Sequence, residues 1–298
     1  MRRVRYWLWG LILTLLAISA GLWWRQPFPA PPPQPTLSVT LASRDPFFLL
    51  PYLLAKRLGT FAELHLEVRE AADAPVQLVA PLAGPKPVTG YLALYPDLVL
   101  VSPEPDPHFR LVQIKELPLA YQADADVLPW ATRVFAQHHV QPREFEALST
   151  SAILRLWSSG RLPYAVVDLP LLLRLQQQRL KPSVLAFFGA STGPLPAFTV
   201  NGKSANLDRL LAGFNLALWY LHTHSSHAVA QLLGGADGLS SAEWEGVIRL
   251  GLHYRLWPST TYPDAARWRR LSLFWPMVPG YPAAVDPTPA LAALRSLP

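Results

Sequence analysis

The 298-residue sequence contains no cysteine. Disulfides, thiolate metal sites, cysteine nucleophiles and a lipidated N-terminal cysteine are all excluded. Redox chemistry therefore says nothing about the compartment. Charge is also scarce, at 15% of residues, and no acidic residue precedes Asp45. The formal net charge of +6 traces largely to Arg2, Arg3, Arg5 and Arg25; beyond them basic and acidic residues nearly balance. No nucleic-acid partner is expected from such a body. Walker loops, His-Glu-x-x-His and dinucleotide glycine fingerprints are missing from the sequence, so neither a cofactor nor a metal centre is expected. These gaps favour a binding protein over an enzyme.

What is present is apolar and rich in proline. Hydrophobic residues make up 51% of the chain and prolines number 32, which suits a globular body with stiff loops. Tyr6 to Trp24 carries no charge; at ~1.5 Å per residue it spans roughly 28 Å, one hydrocarbon core. Arg2, Arg3 and Arg5 before it would hold the N-terminus in the cytoplasm and send the body outward. The segment (1–26) reads as a transmembrane anchor, with a cleaved signal as the alternative. Both place the body outside the cytoplasm. Pro27 to Pro35 holds six prolines in nine residues, an extended spacer within the linker 27–36.

The body alternates strand and helix patterns. Leu37–Leu41 reads as a strand, Phe47–Leu58 as a helix stopped by Gly59, and Leu64–Val68 as a second strand. Val76–Leu82 reads as a short helix, with strands near Val88–Leu94, Leu98–Val101 and Phe109–Ile114. Thr132–His138 and Pro142–Ala147 read as helices. Ser149–Trp157 is a helix, Tyr164–Leu169 a strand, and Pro196–Val200 another. Helices are then expected over Leu207–His222, Ser226–Leu233 and Ser240–Leu256, a further one over Ala265–Phe274, and a last one over Ala290–Leu297. Such an order gives an α/β fold with loops at the carboxyl ends of strands, where small ligands bind.

The pattern resembles the solute-binding proteins of ABC transporters, in the branch of nitrate, sulfonate, taurine and thiamine-precursor binders. The residues carrying the likeness are Val39-Thr40-Leu41-Ala42-Ser43 and the helix Pro51-Tyr52-Leu53-Leu54-Ala55-Lys56-Arg57-Leu58-Gly59. Ala152–Gly160 leading into Ala165-Val166-Val167, then Phe198-Thr199-Val200, continue it. Leu216-Ala217-Leu218-Trp219-Tyr220 and Ala228-Val229-Ala230 look like the family's paired C-terminal helices. The sequence departs from the family at Gly160-Arg161-Leu162-Pro163-Tyr164, where an acid usually follows the glycine. The resemblance implies a two-lobe periplasmic-binding-protein type II fold within 37–298. Its first lobe would comprise about 37–118 and 201–298 and its second about 119–200, with Leu117–Ala125 as a crossing. It also implies a small-molecule solute held between the lobes, an ABC permease as membrane partner, and a monomer. The alternative is a degenerate binding fold acting as a membrane-associated sensor or interaction domain. The related thiamine-precursor synthases use a cysteine-rich motif, which this chain cannot supply.

Candidate ligand residues follow from position. Ser43, Arg44 and Asp45 end the first strand, where a guanidinium can grip a carboxylate, sulfonate or phosphate. The bland reading is a surface turn in which Asp45 caps the helix and pairs with Arg44. Asp168 at a strand end can orient an amine or hydroxyl, or it simply ends the strand. Ser191 and Thr192, between Gly189 and Gly193, offer donors to an anion or form an ordinary turn. Tyr121, Trp130 and Tyr164 can stack on a flat ligand or fill a core. His222, His224 and His227 invite a metal reading, but a solvated helix junction fits their spacing better.

Overall fold

In the computed structural model, residues 34–79, 88–123, 127–189, 198–262 and 288–295 are described. Strand β1 (Thr36–Leu41) buries Leu37 and Val39 by simple alternation. Asp45 then caps α1 (Pro46–Leu58), its Oδ1 accepting the Phe47 N–H at 2.7 Å. Pro46 sits in the first turn, where a missing N–H costs nothing, and Gly59 ends the helix with φ 73°. Pro51 inside α1 has no N–H to offer the carbonyl of Phe47, four residues back. The buried indole of Trp257 fills that gap, its Nε1 donating to Phe47 O at 2.7 Å. A single turn α2 (Thr60–Glu63) follows, then β2 (Glu67–Glu70), β3 (Val76–Val79) and β4 (Val88–Ala93).

The next stretch runs through β5 (Leu98–Ser102), a 3-10 turn at Leu111–Glu116, β6 (Pro118–Gln122), α3 (Val127–Gln137) and β7 (Glu144–Leu148). It continues with α4 (Thr150–Ser158), β8 (Ala165–Asp168), α5 (Leu169–Gln177) and β9 (Ser183–Phe187). Ser149 caps α4 and Asp168 caps α5, each through its side-chain oxygen. β10 (Phe198–Gly202) leads into α6 (Leu207–Thr223), α7 (Ser226–Leu233), α8 (Ser241–His253) and α9 (Thr288–Arg295). Ser240 and Glu243 close a reciprocal capping box on α8, satisfying two N–H groups that the helix leaves open.

The strands form two five-stranded sheets of matching design, ordered β2-β1-β3-β10-β4 and β7-β6-β8-β5-β9. In each, three parallel strands come first and an antiparallel strand follows: β10 against β3, and β5 against β8. The two sheets define two lobes, the first built from both ends of the body. The crossing between them lies at residues 94–97 rather than over Leu117–Ala125, because β5 pairs with β8 and β9 in the second sheet. All five β5 residues are buried, so this strand needs a central place. β10 likewise belongs to the first sheet from Phe198 onward. At its end Gly202 has φ 126°, and a Cβ there would lie 2.1 Å from Pro75 O.

Other elements differ from the sequence reading in type. Residues 76–79 are a strand, not a helix, as are 144–148, while 111–116 forms a 3-10 turn in place of a strand. Each is a run of four to six residues, a length at which periodicity separates helix from strand poorly. Helix α5 and strand β9 were not foreseen. The reading of 265–274 as a helix, and those of 1–26 as an anchor and most of 27–36 as a spacer, fall outside the described residues. Among the described residues no helix is long and apolar enough to cross a membrane.

One apolar cluster fills the first lobe and runs into the second through Val99, Val101, Val167 and the α5 leucines Leu171, Leu172 and Leu175. Helix α5 packs on α1 and α8 of the first lobe. Each fully buried leucine contributes about 2 kcal/mol, so the lobes are joined by more than their crossings. A second cluster on the other face of the second sheet gathers Leu98, Leu100, Leu119, Val166 and Phe188 under α3.

Candidate ligand site at the lobe junction

The turn after β1 in the first lobe and the turn after β8 in the second meet at the junction, and the crossing runs between them. Each of the three supplies an aspartate. Asp45 and Asp168 are the N-caps of α1 and α5, and Asp97 ends the crossing just before β5. The crossing is fastened to α5, whose Leu169 N–H donates to Asp97 O at 2.8 Å. On the second-lobe side Gln122 closes the end of β6. Its Nε2 donates to Asp168 Oδ2 at 3.0 Å and to Thr150 Oγ1 at 3.2 Å, and its Oε1 accepts the Asp168 N–H at 3.1 Å.

The three carboxyl groups feel one another. Burial first, then the charge of Asp168, pushes Asp45 up to about 7, while the Phe47 and Phe48 amides act the other way. Asp97, 6% exposed, is raised well above the usual carboxylate range by burial first and then by the charges of Asp45 and Asp168. Asp97 Oδ2 is buried and receives no N–H or O–H donor. A bare buried carboxylate oxygen is costly, in keeping with the rise at Asp97.

Beside this cluster lies a cavity of about 270 Å³ bounded by both lobes. Arg44, Pro46 and Phe47 of the β1–α1 turn form one border. Pro170, Leu173, Arg174 and Gln177 present one face of α5, at the spacing of successive helical turns. The α8 side brings Leu239, Glu243 and Val247, with Asp237 from the 3-10 turn before it. Gly246 allows the close approach of α5: a Cβ there would sit 2.9 Å from Leu173 Cδ1. Lobe contact continues through aromatics, with Phe187 at the end of β9 lying 6.0 Å from Tyr95 and stacking on Tyr254 at 4.4 Å.

Of the residues singled out in the sequence, Ser43, Arg44, Asp45 and Asp168 are brought to this junction. Ser43 Oγ accepts the Asp45 N–H at 3.0 Å. Asp45 does cap the helix, but it makes no ion pair with Arg44. The aromatic trio is elsewhere. Trp130 is 5% exposed in the second-lobe core, where the Tyr121 ring packs on Phe145 at 4.5 Å. Tyr164 precedes β8, at the opposite end of that strand from Asp168, and also packs against that core. Ser191 and Thr192 lie outside the described residues. The letters Gly189 to Gly193 also match Gly-x-Ser-x-Gly, but four of those five residues lie outside the described residues. His222 meets Pro258 O and His227 meets Glu245. Among the described residues no group of three His, Asp or Glu is placed to hold a metal ion.

Asp97, Gln122 and Arg174 were not anticipated. A lone acid between Pro96 and the apolar run Leu98–Val101 was the available signal for Asp97, since no strand interior would accept it. Nothing in the local pattern distinguishes Gln122 or Arg174 from ordinary surface residues.

No family model matches the sequence, and no match was found among curated proteins. Solved structures do match in shape. The periplasmic aliphatic sulphonate-binding protein SsuA of Escherichia coli superposes with a TM-score of 0.61 at 14% identity, covering 86% of this chain and 97% of that one. The alkanesulfonate-binding protein SsuA of Xanthomonas axonopodis pv. citri, bound to MOPS, gives 0.56 at 14% identity over 88% and 99%. A mutant of DSZB in complex with biphenyl-2-sulfinic acid gives 0.61 at 12% identity over 89% and 100%. With its paired sheets, double crossing and junction between strand ends, this chain has the two-lobe α/β fold of the periplasmic solute-binding proteins.

Proposed function

We propose that the protein is an extracytoplasmic solute-binding component of an ABC-type import system, tethered by its N-terminal segment and working as a monomer with a membrane permease. The observation that carries this reading is the cavity of about 270 Å³ bounded by the β1–α1 turn and α8 of one lobe and by α5 of the other. A small organic solute held there touches both lobes, so its binding energy stabilises the closed arrangement. The carboxylate cluster disfavours a bare anion at the inner end of the junction. A screen of sulfonates, nitrate, bicarbonate, pyrimidines, amines and amino carboxylates by thermal shift tests the reading. A solute at a hundred times its Kd adds about 2.7 kcal/mol and raises the melting temperature by several degrees. No shift with any class counts against transport.

A second reading rests on how firmly the lobes are joined. The bond from Leu169 to Asp97, the seat of Leu173 over Gly246 and the Tyr95–Phe187–Tyr254 contacts favour lobes that stay together. Such a body would serve as a membrane-associated sensor or interaction domain. Its mark is a scattering profile unchanged by every solute, together with a stable protein partner recovered from membranes.

A further inference from the structure

The charges around the junction cavity are paired in number but not in space. Arg44 comes from the β1–α1 turn and Arg174 from α5; Asp237 comes from the 3-10 turn and Glu243 from α8. Among the described residues, no ion pair joins any of the four. Glu243 is ionised, since its bonds from Ser240 hold it below the usual glutamate range. Those bonds engage Oε2 and leave Oε1 available. Arg44 also lies within electrostatic reach of Glu70 and Tyr52, but Glu70 is already bonded to Lys56 and Tyr52. Phe47, Leu173 and Val247 add apolar surface to the same lining. A site that brings cations from the β1–α1 turn and α5 together with anions from the α8 side and apolar surface is complementary to a short dipolar ion.

We infer that this cavity binds a small zwitterion, an amino carboxylate with a short apolar body, its carboxylate on Arg44 and Arg174 and its ammonium toward Glu243 and Asp237. The inference rests on the solute-binding reading and names its substrate class. The available volume equals that of roughly nine liquid waters, which admits a molecule of about that many non-hydrogen atoms. Charge-assisted hydrogen bonds at both ends select against a solute carrying one charge, because the unmatched side of the site is left without its partner.

Isothermal titration of the full-length protein in detergent tests this, with L-leucine and γ-aminobutyrate as probes. Isovalerate and isopentylamine serve as single-charge analogues, and ethanesulfonate and nitrate as other solutes. An amino carboxylate is expected to bind at least tenfold more tightly than either single-charge analogue. Arg174→Ala and Arg44→Ala should each weaken it at least tenfold, with thermal melts confirming that both variants fold. Leu173→Trp, which adds bulk to the apolar lining, should abolish binding independently of charge. Equal binding of isovalerate, or indifference to both arginine variants, overturns the zwitterion assignment. Tight binding of ethanesulfonate or nitrate without the amino carboxylates also overturns it, while leaving the solute-binding reading intact. Silence across the whole panel overturns the zwitterion assignment, and the solute-binding reading then stands or falls on the broader thermal-shift screen.

Discussion

Gln122 and Asp168 hold each other by two reciprocal hydrogen bonds, amide to carboxylate at 3.0 Å and backbone N–H to amide oxygen at 3.1 Å. The pair locks the end of β6 to the start of α5 and fixes the second-lobe carboxylate that faces Asp45. Replacing Gln122 with Leu removes a donor from a part-buried carboxylate. The expected cost is about 1–2 kcal/mol, read as a melting temperature lower by about 2–6 °C. Gln122→Glu should be worse at pH 8, where it adds another negative charge beside Asp168. It should recover toward the parent at pH 5, where a protonated Glu can donate again. Calorimetry at the two pH values separates lost geometry, which does not recover, from charge, which does.

The crowded carboxyls predict the direction of pH dependence. Asp45 sits at about 7 in the folded protein against 3.8 for an unperturbed aspartate, and Asp97 is raised as well. The folded state therefore holds protons that the unfolded chain has released. This contribution is fully present below pH 4 and is lost as the pH rises from about 4 through 7. The slope is at most about 1.4 kcal/mol per pH unit for each proton of difference. Urea melts between pH 4.5 and 8.5 should show stability falling across that window. Asp97→Asn keeps the shape and removes one of the buried acids, so its curve should be flatter and lie above the parent at pH 8. A curve for Asp97→Asn as steep as the parent's would place the titration elsewhere.

Much of this architecture is legible in the sequence because caps and strand ends announce themselves. Asp45, Ser149, Asp168 and Ser240 each stand before an apolar helical run, and each is a side-chain cap in the fold. The long helices α6 and α8 bury Leu210, Phe214, Leu218 and Trp244, Val247, Ile248, the periodic faces the pattern marks. Strands β3, β7 and β9 were misread or missed because four or five residues carry too little periodicity, and tertiary pairing decides their state. The carboxylates at the lobe junction were half legible. Asp45 as a helix cap and Asp168 as a strand end are readable from local sequence, whereas the helix that Asp168 caps was not read. Their meeting with Asp97 depends on where the chain crosses between sheets, a long-range choice that local pattern does not encode. Tyr121, Trp130 and Tyr164 were drawn to a ligand by their chemistry alone, whereas Trp130 is core and Tyr121 and Tyr164 pack against it.

Gly202 tests the pairing that closes the first sheet. Its φ of 126° and the 2.1 Å separation that an added Cβ would have from Pro75 O combine a conformation hostile to side chains with a backbone clash. Gly202→Ala should cost about 2–4 kcal/mol, combining backbone strain and overpacking. Hydrogen exchange should show the loss concentrated in the β10–β3 amides. Gly160, with φ 68° and open space around it, is the control: alanine there meets strain alone and should cost about 1 kcal/mol.

The indole of Trp257 offers the sharpest test of how a local defect is repaired from afar. Pro51 leaves the Phe47 carbonyl without its helical donor, and the Trp257 Nε1–H at 2.7 Å takes its place from 210 residues away. Trp257→Phe orphans that buried carbonyl and opens space beside Gly251, whose Cα carries no side chain because the Trp257 ring lies against it. The combined cost should be about 2–4 kcal/mol. Pro51→Ala restores an N–H four residues after Phe47. In the parent, where the carbonyl is already satisfied, the gain from this change should be small. In the Trp257→Phe background it should recover about 1 kcal/mol more, the hydrogen-bond share, while the packing share stays lost. The double-mutant cycle measured by urea unfolding isolates that coupling. Additivity within about 0.3 kcal/mol would mean that the indole merely fills space, and that the carbonyl of Phe47 finds another donor once Trp257 is gone.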